Sequence, residues 1–152
     1  MSVRWLLPLL VTLAACSPAP EKTAPAFADT DPCALLQSGD AGQLNGTPAK
    51  GERTCDYPFG GLTVRLTLLS AKYADESQKL LADGGYGGVI GDRPLTRKCV
   101  DSSGEVTCDA VVEARDGELI GLTVLQRSHD LNAVGQATQG LASKALERLP
   151  KP

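Results

Sequence analysis

Histidine, tryptophan and methionine occur once each in 152 residues, as His129, Trp5 and Met1. A lone histidine leaves little room for a Ser-His-Asp or Cys-His arrangement, because a nucleophile needs a base within hydrogen-bond reach. Basic excess is also missing: 15 Lys and Arg against 18 Asp and Glu give a formal charge of −3. Nucleic acid is therefore a poor partner, since basic residues must neutralise its phosphates, and no basic patch offers a contact with anionic lipid. No apolar run reaches the ~20 residues of a membrane-spanning helix. Cysteines at short spacing are absent too. No two of Cys33, Cys55, Cys99 and Cys108 lie two to four residues apart, as structural zinc ligands normally do, so no metal site and no cofactor are expected.

What is present begins at the N-terminus. Arg4 is the only charge before Cys16, and Trp5 to Ala15 is apolar apart from Thr12. Such a run fits the apolar region of a signal peptide. Its last four residues, Leu13, Ala14, Ala15 and Cys16, resemble the lipobox of bacterial lipoproteins. The resemblance implies cleavage before Cys16 and a covalent diacylglyceryl anchor, with further acylation, on the Cys16 thiol and amino group. Two or more chains hold a protein stably to a membrane where one does so only marginally. Residues 1–15 thus read as a lipoprotein signal peptide and 16–30 as lipidated cysteine plus tether. Pro18, Pro20 and Pro25 make the tether extended and semi-rigid. Without Arg4 the mature chain has 14 basic and 18 acidic residues, a balance of −4.

Residues 31–150 read as one α+β domain, small enough for a single core. The expected architecture is a mostly antiparallel sheet with an N-terminal helix, a middle helix and a C-terminal amphipathic helix packed on one face. Asp31-Pro32 supplies an N-cap and a first-turn proline for a helix through Leu36. Residues 54–59 form a short strand. In 62–69, Leu62, Val64, Leu66 and Leu68 alternate with Thr63, Arg65 and Thr67, as in a strand covered on one side. A helix over 71–83 places Leu80 and Leu81 inward, and a glycine-rich loop follows to Pro94. Strands are expected at 96–100, 105–114 and 118–127, with Val106, Cys108, Ala110 and Val112 alternating with Thr107, Asp109, Val111 and Glu113. Asp116-Gly117 is a hairpin turn. Leu131, Val134, Ala137, Leu141, Ala145 and Leu149 repeat at helical spacing over 130–149. Gly135 and Gly140 each cost about 1 kcal/mol there unless close packing needs them.

Cys16 is the odd one of five cysteines, and export makes disulfides available to the rest. Cys99 and Cys108 flank a turn at Ser102-Ser103-Gly104, so a local bridge is the economical pairing. It leaves Cys33 with Cys55, tying the first helix to the first strand.

DPCALL at 31–36, RTCDYPF at 53–59, VIGDRP at 89–94 and KCV at 98–100, downstream of the lipobox, resemble the actinobacterial lipoproteins grouped as domain of unknown function 3558. Family members often carry Trp where this chain has Tyr57. The resemblance implies location and fold but no activity.

The loop GGYGGVIGD is the best candidate binding feature, presenting Tyr86 beside Asp92 and Arg93; its rival reading is a plain connection. It lacks the Lys-Ser/Thr of a phosphate-cradling loop. DSSGE at 101–105 misses calcium-loop spacing, and Asp75, Glu76, Asp101 and Glu105 read as solvated faces or turns. His129, beside Asp130, reads as a residue of a helix entrance.

The expected function is a lipid-anchored, non-enzymatic binding or accessory module on the non-cytoplasmic side of a bacterial membrane, its partner an envelope protein. The alternatives are a carrier of a lipid, glycan or other small ligand, and an envelope hydrolase with paired carboxylates. Ser17 after the anchor is compatible with an outer membrane, whereas the actinobacterial resemblance implies the plasma membrane.

Overall fold

A computed structural model describes residues 26–151. The expected signal peptide, the lipidated Cys16 and residues 16–25 of the tether lie outside the described residues. Seven strands make one antiparallel sheet: β1 (Ala49–Lys50), β2 (Thr54–Pro58), β3 (Thr63–Ser70), β4 (Tyr86–Ile90), β5 (Arg93–Ser102), β6 (Glu105–Arg115) and β7 (Glu118–Arg127). Their order is β1-β2-β3-β7-β6-β5-β4. Helix α1 (Tyr73–Ala82) joins β3 to β4, and α2 (Leu131–Arg148) follows β7.

The alternation of β3 produces what it implies. Val64, Leu66 and Leu68 are buried, while Thr63 and Arg65 are exposed. Directly opposite on β7 stand Val124, Leu122 and Ile120, all buried, so the two central strands build one continuous apolar face. Helix α2 lies on that face through Val134, Leu141, Ala142 and Ala145. Its start is fixed by Asp130, whose Oδ1 accepts the Ala133 amide at 2.9 Å.

The inner stripe of α2 differs from the sequence expectation at one end. Leu131 is exposed, and the buried polar position is Thr138, whose hydroxyl donates to the Val134 carbonyl at 2.8 Å. Gly135 has a packing reason. A Cβ there would stand 3.2 Å from the Arg97 guanidinium and 3.4 Å from the Cys99 sulfur. Gly140 faces open space, and nothing in the structure explains it.

The two helices divide between the faces of the sheet. Thr96 on β5 meets the Tyr73 hydroxyl at 2.7 Å and the Ser77 hydroxyl at 2.6 Å, both from α1. Its neighbour Arg97 donates from Nη1 to the Gly135 carbonyl of α2. Successive strand residues point to opposite faces, so α1 covers the side that α2 does not. This explains Val111. It shares a face with Asp109 and Glu113, yet it is 4% exposed because α1 roofs that stretch of β5 and β6. Leu81, expected inward with Leu80, is 46% exposed, and the inner face of α1 is made by Tyr73, Ser77 and Leu80.

The expected N-terminal helix is a single 3-10 turn, Pro32–Ala34. Asp31 does cap it, accepting the Cys33 amide at 2.9 Å. The cause of its arrest is Tyr57. In an α-helix the Leu36 amide would donate to the Pro32 carbonyl. Here the Tyr57 hydroxyl stands between them, donating to Pro32 O at 2.5 Å and accepting Leu36 N at 3.2 Å. The aromatic ring comes from β2 and is fully buried. A tertiary hydroxyl has replaced the helical hydrogen bond from Leu36 to Pro32.

The domain also begins earlier than residue 31. Phe27 is 3% exposed and belongs to the core, with the Arg53 guanidinium 5.5 Å above its ring. Cys33 is bonded to Cys55, and Cys99 to Cys108. The second bridge joins directly opposed residues of β5 and β6, their Cα atoms 4.0 Å apart.

Candidate binding surface

The segment expected to be a glycine-rich loop is an edge strand. Tyr86 to Ile90 pair with Arg97 to Arg93 in an antiparallel hairpin closed by Gly91-Asp92. Gly91 has φ +61°, which a tight turn requires and glycine supplies without a steric cost. The strand reads as a loop in sequence because Gly87 and Gly88 interrupt its apolar residues. It forms because β5 offers it a complete ladder.

The hairpin separates the three residues expected to act together. Tyr86 starts β4 and lies over Arg97, whose guanidinium carbon is 4.8 Å from the ring centroid. Asp92 and Arg93 are at the other end, in and beside the turn, where the Asp92 carboxylate lies 3.4 Å from Arg93 Nε. Tyr86 therefore belongs to the sheet edge, and Asp92 and Arg93 belong to a cleft.

That cleft, about 390 Å³, opens between the β4–β5 turn, the end of β6 and the end of α2. Ile90, Leu146, Leu149 and Pro150 give it apolar wall, and Arg93 and Arg115 supply cationic groups. Arg115 Nε lies 2.7 Å from the Glu118 carboxylate, while its Nη2 is buried without a hydrogen-bond acceptor among the described residues. An apolar slot beside the Arg93 guanidinium suits an apolar side chain flanked by a carboxylate or carbonyl oxygen. Sequence reasoning missed Arg115, Leu146 and Leu149. They come from different elements, and no local spacing marks their meeting.

The uncovered half of the α1 face carries shallower clefts. One is lined by Thr67, Leu69, Leu80 and Gly121 beside α1, the next by Asp56, Thr63, Arg65 and Leu125. Arg65 holds Asp56 with two hydrogen bonds of 2.7 and 2.9 Å, lowering the Asp56 pKa. This is a wet sheet face, threonine-rich and neutralised by its own pairs.

The carboxylates singled out in sequence are dispersed. Asp75 and Glu76 sit in the first turn of α1, and Glu76 pairs with Lys79 at 2.6 Å. Asp101 lies at the β5–β6 turn, where it accepts the Gly104 amide at 2.9 Å and meets His129 Nδ1 at 2.8 Å. Those contacts, the imidazole first, lower the Asp101 pKa. His129 is exposed and ties the start of α2 to that hairpin. Among the described residues, no three His, Cys, Asp or Glu side chains are placed to hold a metal ion, and no helix is long and apolar enough to cross a membrane. No protein-family model, curated protein or solved structure matches the chain.

Proposed function

We propose that the protein is a lipid-anchored, non-enzymatic binding module of the bacterial cell envelope that grips an extended segment of an envelope protein in the cleft at the β4–β5 turn. The observation that carries the reading is the cleft itself: apolar wall from Ile90, Leu146 and Leu149 beside Arg93 and Arg115. Support for the anchor is the lipobox-like Leu13-Ala14-Ala15-Cys16, and the two disulfides fit a non-cytoplasmic site. The actinobacterial lipoprotein resemblance points to the same location. A filled interior favours a protein partner over an enclosed lipid or glycan, since Val64, Leu66, Leu122 and Val124 of the sheet and Val134 and Leu141 of α2 belong to one continuous buried core.

The test is cross-linking of the full chain in its own envelope, followed by capture and mass spectrometry. One reproducible protein partner, lost in Arg93→Glu, is the expected result. A lipid or glycan recovered without a protein would overturn it in favour of a carrier. A partner retained unchanged by Arg93→Glu would overturn the cleft as its site.

A further inference from the structure

We infer that the free edge of β4 pairs with β4 of a second copy of this chain, in an antiparallel, two-fold arrangement centred on Gly88. Among the described residues the sheet has two edges, and only one of them is protected. β1 is two residues long, and its Lys50 is held 3.2 Å from Asp31; shortness and charge are the usual devices against edge pairing. β4 has five residues with neither charge nor proline, and Tyr86 and Val89 are 46% and 63% exposed.

The backbone decides which residues can pair. In a two-residue hairpin the pair flanking the turn, Ile90 and Arg93, exchanges hydrogen bonds, and pairs alternate from there. Val89 then faces Pro94 in a pair that makes none, which is where a residue without N–H belongs. Gly87 and Val89 consequently aim their N–H and C=O groups outward. The Val89 carbonyl confirms this direction, since its contact is a long 3.4 Å one from Gln139 Nε2 rather than from β5.

Gly87 and Val89 stand symmetrically about Gly88. Antiparallel pairing with a second copy places Gly87 opposite the partner copy's Val89 and Val89 opposite its Gly87, completing four hydrogen bonds. The side chains agree with that register. Val89 meets a glycine, which leaves it clearance, and Tyr86 falls opposite Ile90 on the α2 side, an aromatic–β-branched pair. The central pair is glycine on glycine.

A five-residue edge is far below the 20–30 residues a side of a stable interface. The pairing is therefore weak in dilute solution and depends on high local concentration, which the anchored reading of Cys16 would supply. Gly88→Cys in the full chain, oxidised in its own envelope, tests it. A Cβ at Gly88 meets nothing within 4 Å, so the variant folds. Gly61→Cys, equally open and on the β2–β3 turn, is the control. About tenfold more disulfide-linked dimer from Gly88→Cys than from Gly61→Cys is expected, falling to the control level when Val89→Pro is added. Val89→Pro removes an outward N–H and leaves the β4–β5 ladder intact. Comparable yields from both cysteines, or a yield that survives Val89→Pro, would overturn the pairing. Partition of the chain between membrane pellet and supernatant is scored separately, so a failed anchor is read apart from a failed edge.

Discussion

The two ends of the sheet are built to different standards. At the β2–β3 end, Cys33–Cys55 fastens a turn to the sheet, Tyr57 is fully buried with its hydroxyl bonded on both sides, and Phe27 closes the core. Arg148 reaches from the end of α2 to hold Asp40 through both carboxylate oxygens. At the β4 end the strand pairs, among the described residues, on one side only, contains two adjacent glycines and exposes Tyr86 and Val89. Stability is concentrated where the chain enters the fold, and the distant edge is left available. Low local stability and open backbone groups are what a contact-making element needs.

That contrast can be broken by substitution, and the β2 end should lose most. Replacing Cys33 and Cys55 together by serine opens a loop spanning 22 residues. A cost of about 3 kcal/mol in denaturant unfolding is expected, against slightly less for Cys99 and Cys108, whose separation is 9. An equal or larger loss at the second bridge would reverse the comparison. Next comes Tyr57→Phe, which leaves the Pro32 carbonyl and the Leu36 amide without their shared partner. About 2 kcal/mol is expected, and a neutral result in chemical denaturation would show that the turn finds another arrangement.

A smaller effect, and a pH-dependent one, belongs to Asp40→Asn. Hydrogen bonds from Arg148 hold the Asp40 carboxyl below its ordinary value. Its contribution is present above the unfolded carboxylate value near ~4 and is lost as pH falls through the depressed folded value. The variant should lose about 1–2 kcal/mol at neutral pH and show a flatter stability profile in acid. A parallel acid limb in both proteins would remove Asp40 from the account. Smallest of all is Val89→Lys on the exposed edge, expected to shift stability by less than about 0.5 kcal/mol while abolishing Gly88 cross-linking. A large loss of stability would mean that β4 is not the loose end.

Much of this asymmetry is legible in the chain, though unevenly. The alternation in β3 and the Asp130 cap of α2 are local signals and fix elements directly. Cysteine spacing reaches further, because a short separation across a turn is itself geometric. The glycine-rich edge strand is not legible, since Gly87 and Gly88 leave no alternation to detect and the strand is defined by its neighbour. The 3-10 turn fails for a related reason: Asp31-Pro32 starts a helix, and the group that stops it is 25 residues away on β2. Leu81 stands one residue past Leu80, about 100° around α1, and so turns away from the sheet face that Tyr73, Ser77 and Leu80 meet. Of the expected binding residues, composition could mark Asp92 and Arg93, but Arg115 joins them only through the packing of three elements.

The Cys33–Cys55 bridge has one more consequence, which concerns mechanical load. Tension applied through the N-terminal segment passes Phe27 and the 3-10 turn and then meets a covalent link to β2. Everything between Cys33 and Cys55, including the Asp40 loop and β1, is short-circuited and carries none of the force. The load enters the sheet at β2, one strand in from the β1 edge, without first drawing on the segment between the two cysteines. A domain held by one end while its far edge is engaged would gain from that placement, because the bond nearest the pull is the one that cannot fray.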